Sequence, residues 1–192
     1  EGETKVLGNP TEGALLLWLH KNDQSYLSLR HGAPAISQLT FSTDRKYMAT
    51  AVKSALLGKY ILYVKGAPEI VLSRCQQIDL GDRKEDANAY RPTIEQQLLT
   101  YQNKAMRTLG FAYCELEDKP SEDFLTNGLP DGLSMKYLGI VAISDPVRLD
   151  VPQAVESCLK AGIDIKIVTG DTPGTAREIA RQIGIWKEDD TT

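Results

Sequence analysis

The stretch Tyr60-Ile61-Leu62-Tyr63-Val64-Lys65-Gly66-Ala67-Pro68-Glu69 constrains this chain more than any other. Its first five residues are aromatic, β-branched or leucine with no breaker, and they predict a strand. Lys65-Gly66 stops it. Pro68 then fits a first helical turn, where a missing N–H costs nothing. Glu69 suits the positive end of the helix that follows. A strand therefore runs into a helix through a tight glycine turn that carries one lysine. Such a turn sets an ammonium group beside backbone N–H groups, a geometry that suits a phosphate or a nucleotide. Local physics leaves a plainer reading open, with Lys65 a solvated turn lysine and Gly66 a steric necessity.

Composition bounds the rest. At 192 residues the chain has room for one large domain or one and a half small ones. A net charge of -4 argues against a nucleic-acid-binding surface. The longest apolar run, Ala14 to Leu19, falls far short of the roughly 20 residues that span a bilayer. Glu1-Gly2-Glu3 has neither the basic start nor the apolar core of a signal peptide, and the chain lacks an initiator Met, as an internal piece of a longer protein would. Cys75, Cys114 and Cys158 are scattered and form no CxxC pair, which fits small apolar fillers in a reducing compartment better than a metal site or disulfide frame.

Along the chain, Asn9 is placed as an N-cap, Pro10 as the first helical residue and Glu12 as the third, close to a capping box. The apolar run that follows predicts a helix buried on most of its faces. Ile36 to Ser42 and Tyr47 to Lys53 read as strands joined by the polar turn Thr43-Asp44-Arg45-Lys46, the start of an antiparallel meander. Small Ala49 and Ala51 on one face of the second strand let another layer or a flat ligand come close. Residues 81–91 read as an exposed loop, and Pro92 to Met106 as a helix with Ile94, Leu98, Tyr101 and Ala105 on one stripe. Phe111 to Cys114 reads as a strand. Residues 117–132 form a surface loop, with room for a short helix near Asp123 to Thr126. Lys136 to Ile143 reads as a central strand. Beyond it, a helix capped by Asp150 and ended by Gly162, a short buried strand Asp164 to Val168, and a helix from Thr172-Pro173 to Gly184 make a βα-type crossover.

Several motifs fall in one family's order. Lys65-Gly66-Ala67-Pro68-Glu69 resembles the nucleotide-domain signature of the P-type ATPases, ion pumps that pass through an aspartyl-phosphate. Phe41-Ser42-Thr43-Asp44-Arg45-Lys46-Tyr47-Met48 is similar to the family's Phe-Ser-x-x-Arg-Lys-x-Met segment, Asp145-Pro146-Val147-Arg148 to its hinge Asp-Pro-x-Arg, and Thr169-Gly170-Asp171 to the second motif of the haloacid-dehalogenase superfamily. The resemblance covers about residues 6–186 and lies nearest the calcium and sodium pump branch.

The resemblance implies an α+β fold. Residues 1–140 would be a nucleotide-binding domain, an antiparallel sheet with packed helices, and residues 141–192 a partial α/β phosphorylation domain of haloacid-dehalogenase type. It implies that Phe41 stacks on adenine, that Lys46, Lys65 and Gly66 lie by the nucleotide, and that Glu12 borders the adenine pocket. Arg107 would reach over the phosphates, Asp145 and Arg148 would form the hinge, and Thr169, Gly170 and Asp171 would receive the γ-phosphate. Bland readings stand beside these: Glu12 as a cap, Phe41 as a core residue, Lys46 as a surface lysine, and Arg107 as a cation at a helix C-terminus. Thr43 stands where the calcium pumps often place Arg, so the resemblance carries no phosphate contact to that position. The phosphorylated Asp-Lys-Thr-Gly-Thr and the Gly-Asp-Gly-x-Asn-Asp metal motif do not occur, nor does a Walker A sequence.

The expected ligands are therefore ATP and Mg2+, the magnesium held by residues outside this chain. The expected partners are the phosphorylation, actuator and membrane domains of a cation pump, calcium being the first expectation for the ion, and the expected location is the cytoplasmic side of a membrane protein. The chain taken alone is expected to be inactive. A stand-alone adenine-nucleotide-binding regulatory module without catalysis is the alternative.

Overall fold

The computed structural model describes residues 8–144, 147–148, 150–169 and 173–186. Its element order is α1 (Pro10–Lys21), α2 (Tyr26–His31), β1 (Ala35–Leu39), β2 (Tyr47–Ser54), β3 (Lys59–Gly66), α3 (Pro68–Ser73), β4 (Gln77–Asp79), β5 (Lys84–Asp86), α4 (Ala87–Asn103), β6 (Arg107–Leu116), β7 (Lys136–Ile143), α5 (Val151–Lys160) and α6 (Pro173–Gln182). Two compact units divide the chain, residues 1–92 with 109–141, and residues 93–108 with 142–192.

The seven strands form one sheet in the order β1-β2-β3-β6-β7-β4-β5. The meander β1-β2-β3-β6 is antiparallel throughout, and one parallel pair, β4 with β7, joins the β4–β5 hairpin to it. The fold is thus mixed α and β, with both antiparallel and parallel strand pairs in its sheet. Register puts Ala49, Val64 and Ala112 in one cross-strand row, and Ala51, Leu62 and Cys114 in the next. All six are buried, and with Val71 and Leu72 of α3 they contribute to the core. Alternation sends Met48, Lys65 and Phe111 to the opposite face, with Thr50, Tyr63 and Tyr113 beside them, all partly or largely exposed.

Helix α1 departs from expectation. Asn9 does cap it, its side chain accepting from the N–H groups of Thr11 (2.9 Å) and Glu12 (3.4 Å). However, only Gly13 is buried, and Trp18 is 62% exposed with Leu16 also open. Its apolar residues run round the axis rather than down one stripe, so one neighbouring layer cannot cover them all.

The stretch read as a loop over residues 81–91 holds β5 and the start of α4. That helix begins five residues before Pro92, where Asp86 accepts from Asn88 N–H at 2.9 Å. It ends at Asn103, and Ala105 turns left-handed (φ 60°) beyond it. Arg107 therefore opens β6 and is not a helix C-terminal cation. No helix forms near Asp123; the segment is a run of turns anchored by Ser37, whose hydroxyl donates to Glu122 O (2.8 Å) and accepts from Leu125 N–H (3.2 Å).

In the second unit, α5 starts at the expected place, but Asp150 makes no capping bond. Its carboxylate takes two hydrogen bonds from Arg148 instead, at 3.1 and 2.6 Å. The expected strand at Asp164 to Val168 is absent: the segment is irregular and Val168 is 96% exposed. A strand is defined by its ladder, and among the described residues none pairs with this one. Glycines end both helices as expected, Gly162 at φ 75° and Gly184 at φ 82°.

Candidate functional site

The expected nucleotide residues of the first unit gather at one end of the β2–β3 pair. Lys65 is the penultimate residue of β3, on the open face, and its Nζ lies 3.4 Å from Glu12 Oε1 in the first turn of α1. The Lys65 side chain is 24% exposed and the Glu12 carboxylate 57%. Glu12 stands in the first turn of α1, where its charge suits the helix N-terminus, and it also brings a carboxylate to the lysine. The pair holds α1 against the end of the strand, and the ammonium keeps an open side toward solvent.

Lys46 is locked to the same place through its backbone. Its N–H donates to Ser42 O (2.8 Å), closing the turn expected from Thr43 to Lys46, and it sits left-handed at φ 58°. Its carbonyl accepts from Ala67 N–H at 2.9 Å. A Cβ at Gly66 would fall on that carbonyl and lie 2.6 Å from the Cβ of Tyr47, so only glycine lets the two turns meet. The N–H of Ala67, expected to be open to a phosphate, is used by this clamp. Phe41, five residues before Lys46, is 56% exposed, so it is a free aromatic face and not a core residue. Arg45 ties the segment down, donating from its guanidinium to Thr40 O at 3.0 Å.

An aromatic face and two ammonium groups, one of them beside a carboxylate, suit a ligand with a flat apolar ring and an anionic tail. Glu12, Lys46, Lys65 and Gly66 are brought together by these contacts, with Phe41 on the same turn segment. The other expected residues are not placed with them. Arg107, Arg148 and Thr169 belong to the second unit, Arg148 paired with Asp150. Asp145, Gly170 and Asp171 lie outside the described residues.

A polar network on the open face was not foreseen. Tyr113 donates its hydroxyl to Asp79 Oδ2, and Lys136 stands over the Tyr113 ring, 5.2 Å from its centre. That hydrogen bond, helped by Gly81 N–H, holds the Asp79 carboxyl below its ordinary value. Glu115 is held low as well, first by its hydrogen bond from Lys59 (2.6 Å) and then by Lys136 (3.4 Å). The network escaped because the sequence reading assigned no strand to residues 77–79. A shallow polar depression lined by Ser73, Gln76, Lys84, Glu85, Asn88 and Arg91 lies beside β4 and β5 and contains none of the nucleotide candidates.

Among the described residues no helix is long and apolar enough to cross a membrane. The chain is 33% identical over 189 residues to calcium-transporting ATPase 1 of Lactococcus lactis, covering 98% of this chain and 21% of that protein. It is 33% identical over 201 residues to calcium-transporting ATPase PAT1 of Dictyostelium discoideum (98% and 16%), and 33% over 203 residues to calcium-transporting ATPase 2 of Schizosaccharomyces pombe (96% and 15%). The chain spans about a fifth or less of these relatives' length. Residues 1–150 match the family described as P-type ATPase, cytoplasmic domain N. With that match over most of its length, the chain belongs to the P-type ATPase domain N family.

Proposed function

We propose that this chain is the ATP-binding part of a cation-transporting P-type ATPase, with calcium as the transported ion. The observation that carries the reading is the clamp that joins Lys46 to the Lys65-Gly66-Ala67 turn, with Glu12 on Lys65 and Phe41 open beside it, in a chain of the domain N family. Phe41 stacks on the adenine, Lys46 and Lys65 neutralise phosphate charge, and Glu12 orients Lys65 and borders the ring. Residues 1–140 are the nucleotide-binding domain and residues 141–192 the opening of the phosphorylation domain. Arg107 adds phosphate charge neutralisation, Asp145 and Arg148 serve the hinge, and Thr169-Gly170-Asp171 meets the γ-phosphate. Mg2+ comes with ligands from the rest of the pump, and catalysis is positioning and charge neutralisation. The whole protein is placed in a membrane with this part on the cytoplasmic face, and it works with phosphorylation, actuator and membrane domains. Calcium is favoured because the relatives named above carry calcium in their names.

Calorimetric titration tests the ligand. ATP should bind weakly, with a Kd on the order of 0.1–1 mM, about 4–5.5 kcal/mol, and magnesium should change it little. Phosphate release should not exceed that of a Lys65→Ala control. Absence of ATP binding at roughly ten times the upper limit of that range would contradict the reading.

A further inference from the structure

We infer that Gly110 is a positioning residue for Lys65, acting through the seat it provides for Pro68; this rests on the nucleotide reading above. Gly110 is the β6 partner of Gly66 in β3, and Tyr47 of β2 is the partner of Gly66 on its other side. Two adjacent strands therefore lack a side chain at the same level of the buried face. Pro68, the first residue of α3, drops into that gap. A Cβ at Gly110 would lie 2.7 Å from Pro68 Cα and 3.2 Å from the Tyr137 hydroxyl. The first of these is main chain and cannot rotate away. The backbone at Gly110 is not in the left-handed region, so alanine is opposed there by close approach alone, that of the Pro68 main chain first and of the Tyr137 hydroxyl second.

The consequence reaches Lys65 along four consecutive residues. Lys65 points to the open face, Gly66 lies on Tyr47, Ala67 donates to Lys46 O, and Pro68 rests on Gly110. The turn is pinned at Gly66 and Ala67 from one side and at Pro68 from the other. Proline fixes its own φ, so the seat transmits a direction rather than loose contact. Lifting Pro68 off the sheet re-aims the turn that carries the ammonium, while Phe41, on a separate segment, keeps its place. Among the described residues the Tyr137 hydroxyl, buried against the same seat, has no hydrogen-bond partner, and it fills space there.

The test compares ATP with adenosine, which lacks the phosphates Lys65 would meet, by NMR titration of the 192-residue chain. Gly110→Ala should weaken ATP about fivefold and Pro68→Gly about threefold, with adenosine unchanged within about twofold, a fraction of the tenfold that corresponds to 1.4 kcal/mol. Tyr137→Phe should change neither ligand. Val71→Ala, a core truncation in the same helix, should lower stability without altering the ratio of the two affinities. If Gly110→Ala does not fold, Pro68→Gly carries the test. Loss of both ligands in equal proportion would show a merely structural role and overturn the inference. So would wild-type ATP binding in Gly110→Ala and Pro68→Gly while Lys65→Ala is weakened, with the nucleotide reading left standing. An undiminished affinity in Lys65→Ala would sink both.

Discussion

The two units of the chain are held by different kinds of contact. In the first, the rows Ala49-Val64-Ala112 and Ala51-Leu62-Cys114 bury residues from three strands far apart in sequence. In the second, α5 and α6 are closed by their own neighbours: Lys160 pairs with Glu156 at 2.8 Å and Arg181 with Glu178 at 2.8 Å. Among the described residues of that unit, Leu98, Val155 and Ile183 are buried, while Leu159, Ile163 and Val168 are open. Long-range burial lets a backbone carry a strained left-handed lysine and a glycine-only contact, because the surrounding sheet fixes both. Helices held by one-turn ion pairs have no such reserve, since an exposed pair contributes only a few tenths of a kcal/mol. The proposed nucleotide residues Phe41, Lys46 and Lys65 accordingly stand in the sheet unit.

The largest expected effect is in amide exchange. Amides of β2, β3 and β6 should exchange at least about a thousandfold more slowly than those of α5 and α6, because the former open only with the sheet and the latter locally. Equal protection in both units would erase the contrast. Next comes truncation. Leu62→Ala, at a fully buried position, should cost about 3 kcal/mol in chemical denaturation, and Val155→Ala less than half of that. A reversed order would mean that the helical unit holds the stronger core.

The smallest effect concerns pH. Glu115 has its carboxyl held below the ordinary glutamate value by Lys59 first and Lys136 second. A carboxyl lowered on folding contributes stability above its unfolded value, and that contribution is lost as pH falls through the lowered one. Glu115→Gln should therefore melt about 1–2 °C below wild type at pH 7, with the gap closing in acid, the pair being too exposed for more. A gap that widens in acid would have the wrong sign.

What the sequence made legible follows the same division. Asn9, Pro10, Gly162 and Gly184 act within one turn of the chain, and their roles could be read directly. The strands β2, β3 and β7 were legible because apolar and β-branched runs are continuous there. The segment Asp164 to Val168 has an equally strand-like composition, yet it has no ladder, and composition cannot report a missing neighbour. β4 and β5 are three residues each, too short for a period, and charged besides. At the site, Lys65 and Phe41 were named from motifs. The use of Ala67 N–H by Lys46, and the pairing of Glu12 with Lys65, depend on segments meeting across the fold, which no local pattern encodes. Gly110 was hidden because Arg107 to Gly110 reads as a helix ending; its place inside β6 shows only once the strand is seen to begin at Arg107.

The central claim is that an adenine nucleotide binds at the β2–β3 end of the sheet unit. Two-dimensional amide NMR of the 192-residue chain titrated with ATP tests it most directly. The account predicts saturable shifts at Glu12, Phe41, Lys46 and Lys65-Gly66-Ala67 with a midpoint on the order of 0.1–1 mM, nearly abolished at Phe41 and Lys65 by the respective alanine variants. Shifts confined to the depression beside β4 and β5, or to the helices of the second unit, would contradict it.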